Sequence, residues 1–194
     1  MSNIQFFYEI ELKSVLDRSQ YDRLSQELPQ TMPQIGQDII HTTRYRAVSP
    51  DGKYMPRDIR LRHSDKIIEF VYKDGEPTEM CRRELVVPLK SMDSLVHMAR
   101  SFERKGLVAA PPWKKHKKEF EYDFGGFSYC VCLQDIENFA YILEVEYMSK
   151  RDDTALHLPN ITAIVESLGL APCDPNEFAA IIRRYVEANS DQTY

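Results

Sequence analysis

Two short stretches of the 194-residue chain carry paired carboxylates at a spacing of two, Tyr8-Glu9-Ile10-Glu11-Leu12-Lys13 and Ile142-Leu143-Glu144-Val145-Glu146-Tyr147. In an extended strand successive side chains point to opposite faces, so Glu9, Glu11 and Lys13 share one face, as do Glu144 and Glu146. Neighbouring carboxylates repel each other unless a cation lies between them. A hard divalent ion with oxygen ligands, Mg²⁺ or Mn²⁺, meets that need, and Lys13 can receive an anionic substrate beside it. On periodicity alone each stretch also reads as a half-buried strand whose charged face meets water.

The segment between these acidic ends supplies bases. Arg60 and Arg62 share a strand face, Lys73 precedes a turn at Asp74-Gly75, Arg82 shares a face with Glu84, and Lys115 alternates with Lys117. Guanidinium forks and ammonium groups on strand faces suit the oxygens of a polyphosphate. The formal net charge is -5, which gives no global basic field for nucleic acid. The cluster around Lys114–Lys118 is flanked only by the aromatics Trp113 and Phe120, so a nucleic-acid role is disfavoured. No apolar run is long enough to span a bilayer and no signal peptide is evident, so a cytoplasmic protein without membrane contact is expected. Cys81, Cys130, Cys132 and Cys173 lack a metal-finger spacing. Cys130 and Cys132 read as reduced packing residues on one strand face, in preference to zinc ligands. The five histidines show no spacing that marks a metal site or triad.

Holding these groups in place requires a sheet. Strands are expected at 4–13, 38–48, 58–63, 66–73, 81–88, 113–122, 127–136 and 140–148, with a turn at Ser49-Pro50-Asp51-Gly52. Helices are expected from Asp17 to Leu28, where Pro29 stops the first, then Ser91 to Lys105, Leu158 to Leu168, and Pro175 to Ala188 behind an Asp174 cap. A loop is expected up to Gln37, and Met92 and Met98 read as core residues of the second helix. The tail from Asn189 is expected to fray. About eight mostly antiparallel strands, polar on one face and apolar on the other, predict a closed β-barrel in one α+β domain. Its charged face lines a tunnel and its helices pack on the outside.

In that order the motifs resemble the CYTH family, the triphosphate tunnel metalloenzymes, which includes class IV adenylyl cyclases, thiamine triphosphatases and inorganic tripolyphosphatases. The family's Glu-x-Glu-x-Lys opening looks like Glu9, Glu11 and Lys13, and its Arg-x-Arg strand like Arg60-Leu61-Arg62. Its later strands look like Lys73-Asp74-Gly75, Arg82-Arg83-Glu84, Lys115-His116-Lys117 and Glu144-Val145-Glu146. The resemblance implies a triphosphate-containing small molecule held by Arg60, Arg62, Lys73, Arg82, Lys115 and Lys117. It also implies Mg²⁺ or Mn²⁺ on Glu9, Glu11, Glu144 and Glu146, with Glu9, Glu11 and Lys13 at the chemistry. Hydrolysis by water is the preferred reaction. Cyclisation of ATP, RNA 5′-triphosphate hydrolysis and non-catalytic polyphosphate or nucleotide binding stay open, and a homodimer is compatible with all of them. Gln134 stands where the family usually has an acidic residue, and alternation turns it inward with Cys132, Cys130 and Ser128 while Asp135 faces out.

Overall fold

Charge alternating with hydrocarbon along the strands decides which face of the sheet turns inward. The computed structural model describes residues 6–46, 57–75 and 78–189. The expected turn at Ser49–Gly52, the ends of the first two predicted strands at residues 4–5 and 47–48, and the tail beyond Asn189 lie outside the described residues. The elements run β1 (Phe7–Leu16), α1 (Arg18–Thr31), β2 (Gln34–Arg46), β3 (Arg57–His63), β4 (Ile68–Asp74), β5 (Cys81–Pro88) and α2 (Met92–Arg104). They continue as β6 (Val108–Ala109), β7 (Trp113–Phe124), β8 (Phe127–Ile136), β9 (Ala140–Ser149), α3 (Thr154–Ser167) and α4 (Pro175–Ala188). Eight strands form an antiparallel ring in the order β3-β4-β5-β1-β9-β8-β7-β2, and the β2–β3 pairing closes it. The two-residue β6 joins β2 at Tyr45 and Arg46, beyond the residues of β2 that pair with β7.

The outer face of β1, β8 and β9 is hydrocarbon. Ile10, Tyr129, Val131, Leu133, Leu143 and Val145 are buried there against Leu24 and Leu28 of α1 and Ile161, Ile164 and Val165 of α3. Tight connections keep the strands in register. Gly125 and Gly126 (φ 60° and 82°) form the two-residue turn between Phe124 and Phe127, and a turn with positive φ at both central residues matches the twist of a hairpin. Asp17 caps α1 in a capping box with Gln20, Ser91 caps α2, and Asp174 caps α4 ahead of Pro175.

Three boundaries and one helix face differ from the sequence reading. Helix α1 runs through Pro29 to Thr31, because a proline in the last turn removes a single backbone bond and Met32 N–H still reaches the Leu28 carbonyl. Strand β2 begins at Gln34, inside the expected loop, and a register shift between Gln34 and Gly36 accommodates the change. Helix α3 begins at Thr154, four residues early, with Pro159 inside it. Helix α2 has no fully buried residue, and Met92 and Val96 are exposed, so its apolar stripe is not a core face. It rests on the barrel through Phe102, whose ring lies 5.1 Å from that of Tyr45 and 6.0 Å from that of Phe70.

Helix α4 does not lie on the apolar outer face with α1 and α3. Its Phe178 and Ile182 pack against Ile136 and Ile142, which project from the inward face of β8 and β9, so the helix lies across one end of the lumen. The Tyr185 hydroxyl fastens it to the Pro112 carbonyl at 2.9 Å.

One polar group sits inside the outer core. The Tyr129 hydroxyl lies 3.0 Å from Nδ1 of buried His157 and accepts from Asn160 Nδ2 at 2.8 Å. Tyr129→Phe leaves buried His157 and half-buried Asn160 each short of a bond, so we expect it to cost about 1–3 kcal/mol. Urea denaturation measures this, and an unchanged midpoint would show that the contact does not tie α3 to the barrel.

Candidate functional site

Strand alternation delivers the charged side chains to the inside of the ring. All eleven residues nominated from the sequence (Glu9, Glu11, Lys13, Arg60, Arg62, Lys73, Arg82, Lys115, Lys117, Glu144 and Glu146) line one cavity of about 220 Å³, with Glu84 and Met148. The pairing register explains how residues so far apart in sequence meet. Glu9 lies opposite Arg82, Glu11 opposite Glu146, Lys13 opposite Glu144, and Lys73 opposite Glu84.

The lumen's bases and acids neutralise one another. Arg82 donates to Glu11 at 2.6 Å, Lys13 lies 2.5 Å from Glu11, and Lys73 donates to Glu9 and lies 3.1 Å from Glu84. Arg62 pairs with Glu69 at 2.7 Å, and Lys117 with Glu119 at the same distance. Buried charges persist only when paired in this way.

Three buried charges at the centre escaped the sequence reading as site residues. Asp58 accepts from Arg44 Nε at 3.1 Å and from Arg60, and lies 3.5 Å from Arg82. Against the burial that raises it, Arg60, Arg44 and Arg82 hold the Asp58 carboxyl well below its ordinary range. Asp58 therefore fixes three guanidinium groups at once. The alternation that paired Arg60 with Arg62 already placed Asp58 on the same face, whereas Arg44 carried no comparable signal. Glu84 was legible as the end of the Arg-x-Glu motif; despite burial, Lys73, Arg62 and Arg60 lower its pKa.

Glu9, Glu11 and Glu146 each offer a carboxylate oxygen within 4.8 Å of the others. Burial and then Glu11 push the Glu9 carboxyl up to about 8, against the pull of Lys73. Glu11 stays well below its ordinary range despite its burial, because Lys13, Lys73 and Arg82 face it. Burial also raises the Glu146 carboxyl, and a cation among the three oxygens would offset the mutual repulsion that helps keep Glu9 and Glu146 up. Glu144 stands apart from this trio. It accepts from Gln134 Nε2 and lies 3.9 Å from Lys13. Burial, and then Lys117, Arg60 and Arg62, push the Lys115 ammonium down to about 8, with Glu144 opposing them.

Gln134 is fully buried and faces the lumen as its alternation requires, with Oε1 unpartnered. Asp135 lies on the outer face opposite Tyr141. Lys114 also points outward and pairs with Glu137 at 2.7 Å, which fixes Lys115 and Lys117 as the inward pair of β7.

Next to the charged lumen lies a second cavity of about 390 Å³ that shares Glu11 and Lys13 with it. Leu12, Met80, Pro172, Pro175 and Phe178 give it an apolar wall, and Lys13 Nζ stands 5.9 Å from the centre of the Phe178 ring. The order of the motifs gave no hint of this cavity, since its wall comes from three separate parts of the chain. Among the described residues no helix is long and apolar enough to cross a membrane.

No protein-family model matches the chain, and no curated protein sequence does. Solved structures share its architecture. The PH1819 protein of Pyrococcus horikoshii superposes with a TM-score of 0.68 at 18% identity, covering 86% of this chain and 93% of that one. A candidate adenylate cyclase from Vibrio parahaemolyticus gives 0.59 at 19%, covering 87% and 91%. The Hippeastrum protein HpAC1, a candidate adenylyl cyclase with a dominant triphosphatase activity, gives 0.58 at 13%, covering 91% and 95%. At these identities the likeness concerns the fold. These proteins share the overall architecture of this chain, whose own eight antiparallel strands close into a ring around a charged lumen.

Proposed function

We propose that the protein is a divalent-metal-dependent triphosphatase acting on a triphosphate-containing small molecule bound in the lumen. One observation carries this reading. Seven basic side chains and five carboxylates face one enclosed space of about 220 Å³, a size and charge pattern suited to a chain of phosphates with its metal. Arg60, Arg62, Lys73, Arg82, Lys115 and Lys117 hold the phosphate oxygens, with Asp58 keeping Arg60 and Arg82 aimed inward. Mg²⁺ or Mn²⁺ fits the oxygens of Glu9, Glu11 and Glu146, while Glu144 lines the same cavity on the side of Gln134 and Lys13. That ion supplies charge neutralisation on the phosphate oxygens. Lys13, 15% exposed and between the two cavities, orients the reacting end of the substrate. Phosphoryl transfer asks for this kind of positioning and electrostatic stabilisation and for little covalent chemistry from the protein. The PH1819, Vibrio and Hippeastrum folds, and the triphosphatase activity of HpAC1, support the reading.

The apolar cavity beside Lys13 favours a triphosphate with an organic group over bare tripolyphosphate, and it keeps the cyclase reading as the alternative. Phosphate release from tripolyphosphate, thiamine triphosphate and ATP, with and without Mn²⁺, tests the central reading, and cyclic AMP and pyrophosphate are followed in the same samples. We expect orthophosphate, abolished by chelation. Metal-independent turnover would remove the proposed role of the glutamates, and pyrophosphate with cyclic AMP would select the cyclase. Phe178→Ala is expected to raise KM for an organic triphosphate by roughly tenfold more than it raises KM for tripolyphosphate.

Gln134→Asp adds a carboxylate next to Glu144 and is expected to lower the Mn²⁺ concentration for half-maximal activity by roughly three- to tenfold. Asp135→Asn, on the outer face, is expected to leave it unchanged. The reverse outcome would mean that Asp135 is the metal-facing residue.

The Lys115 pKa of about 8 gives a pH signature. Below it the ammonium is charged and binds phosphate; above it the charge is lost. We therefore expect kcat/KM to fall as pH rises past about 8, and Lys115→Arg, which stays protonated, to flatten that limb. A falling limb that survives in Lys115→Arg would assign it to another group.

A further inference from the structure

We propose that Cys130, Cys132, Glu119 and Glu146 form a second metal site, suited to a thiophilic divalent ion of the zinc class and separate in chemistry from the all-carboxylate trio. The four residues come from three adjacent strands, and the register sets Cys130 opposite Glu146 and Cys132 opposite Glu119. One ligand atom from each lies within 4.8 Å of the others. The two sulfurs are 3.4 Å apart, and Cys132 Sγ is 3.7 Å from Glu146 Oε1. Around a tetrahedral ion with bonds of about 2.3 Å to sulfur, neighbouring ligands stand about 3.5–3.8 Å apart. A disulfide needs its sulfurs at about 2.05 Å, so this spacing suits a shared ion better than a bond.

The surroundings hold the donors in position. Gly36 lies opposite Glu119 in β2, and a Cβ there would come within 2.5 Å of Glu119 Oε2. The absent side chain leaves room for that carboxylate. Cys132 is fully buried, while Cys130 and Glu119 are partly open and give an ion a way in. In this structure Lys117 balances Glu119 at 2.7 Å. Two thiolates and two carboxylates bring more negative charge than one ammonium offsets, and soft sulfur donors favour zinc over Mg²⁺ or Mn²⁺. Binding releases the two thiol protons to solvent. Glu146 belongs to both groups, so an ion on the cysteines draws on a carboxylate that the trio also uses. That consequence rests on the triphosphatase reading; the site itself does not.

The test titrates the full chain, reduced and freed of metal, with Co²⁺ in the absence of any triphosphate. The expected result is one ion per chain, thiolate-to-cobalt charge-transfer absorption, visible bands of tetrahedral coordination, and displacement by Zn²⁺. Cys130→Ser/Cys132→Ser is expected to lose the charge-transfer absorption and to bind Zn²⁺ about tenfold or more weakly, while Cys81→Ser/Cys173→Ser keeps both properties. Glu119→Gln leaves the sulfurs in place, so it is expected to retain the absorption and to weaken Zn²⁺ binding. The proposal is overturned if wild-type cobalt shows no thiolate absorption, if Cys130→Ser/Cys132→Ser binds Zn²⁺ unchanged, or if Glu119→Gln has no effect on Zn²⁺. None of these outcomes bears on triphosphate turnover with Mn²⁺, which is measured separately.

Discussion

The structure depends on holding a dozen ionisable side chains inside a protein ring, most of them paired with a group of opposite charge. A single unpaired buried charge costs several kcal/mol, so each base in the lumen must face an acid or a ligand. The eight-stranded ring solves this by register. Glu9 faces Arg82 across one ladder and Lys73 faces Glu84 across another, so the backbone pairing that closes the barrel also assembles the ion pairs. Asp58 does the same for Arg44, Arg60 and Arg82 from a single position. Fold and charge network are therefore one arrangement, and a slip of one residue in any strand would turn its charges into the hydrocarbon outside.

The hydrocarbon layer explains how such a polar interior remains stable. Leucine, isoleucine and valine from β1, β8 and β9 bury themselves under α1 and α3, outside the ring, where an ordinary protein has its polar face. The hydrophobic core is thus a shell around the charged lumen. Helix α4 contributes differently, since Phe178 and Ile182 seal one end of the lumen with apolar contacts to Ile136 and Ile142. Reducing solvent access strengthens every electrostatic interaction within.

The lumen is graded in chemistry along its length. Near α4, Gln134, Glu144, Lys115 and Arg44 offer amide, carboxylate and cationic groups. Further along β8 the inward positions become Cys132 and then Cys130, and the donors turn from hard oxygen to sulfur. Glu146 stands at the junction, within reach of Glu9 and Glu11 on one side and of both thiols on the other. A single carboxylate at that junction links the all-carboxylate trio to the thiol pair.

Much of this was legible in the sequence, because a period of two is a local property of the chain. Glu9-x-Glu11, Arg60-x-Arg62, Lys115-x-Lys117 and Glu144-x-Glu146 each state which side chains share a face, and the strands that carry them fall at β1, β3, β7 and β9 with little error. The inward placement of Gln134 and the outward placement of Asp135 follow from the same rule. Local signals did less well where tertiary packing overrides them. Pro29 and Pro159 both lie inside helices, because packing against the barrel outweighs one lost backbone bond. The stripe on α2 is amphipathic and is only half covered, with Met92 and Val96 exposed, because periodicity describes a face without saying what covers it. Only the closed ring decided that Asp58 gathers three arginines, that Glu144 stands apart from the other three glutamates, that α4 covers the lumen, and that Cys130 and Cys132 lie beside Glu119 and Glu146. Each is a contact between strands or helices distant in sequence, fixed by register and closure, and no residue's own neighbours in the chain specify it.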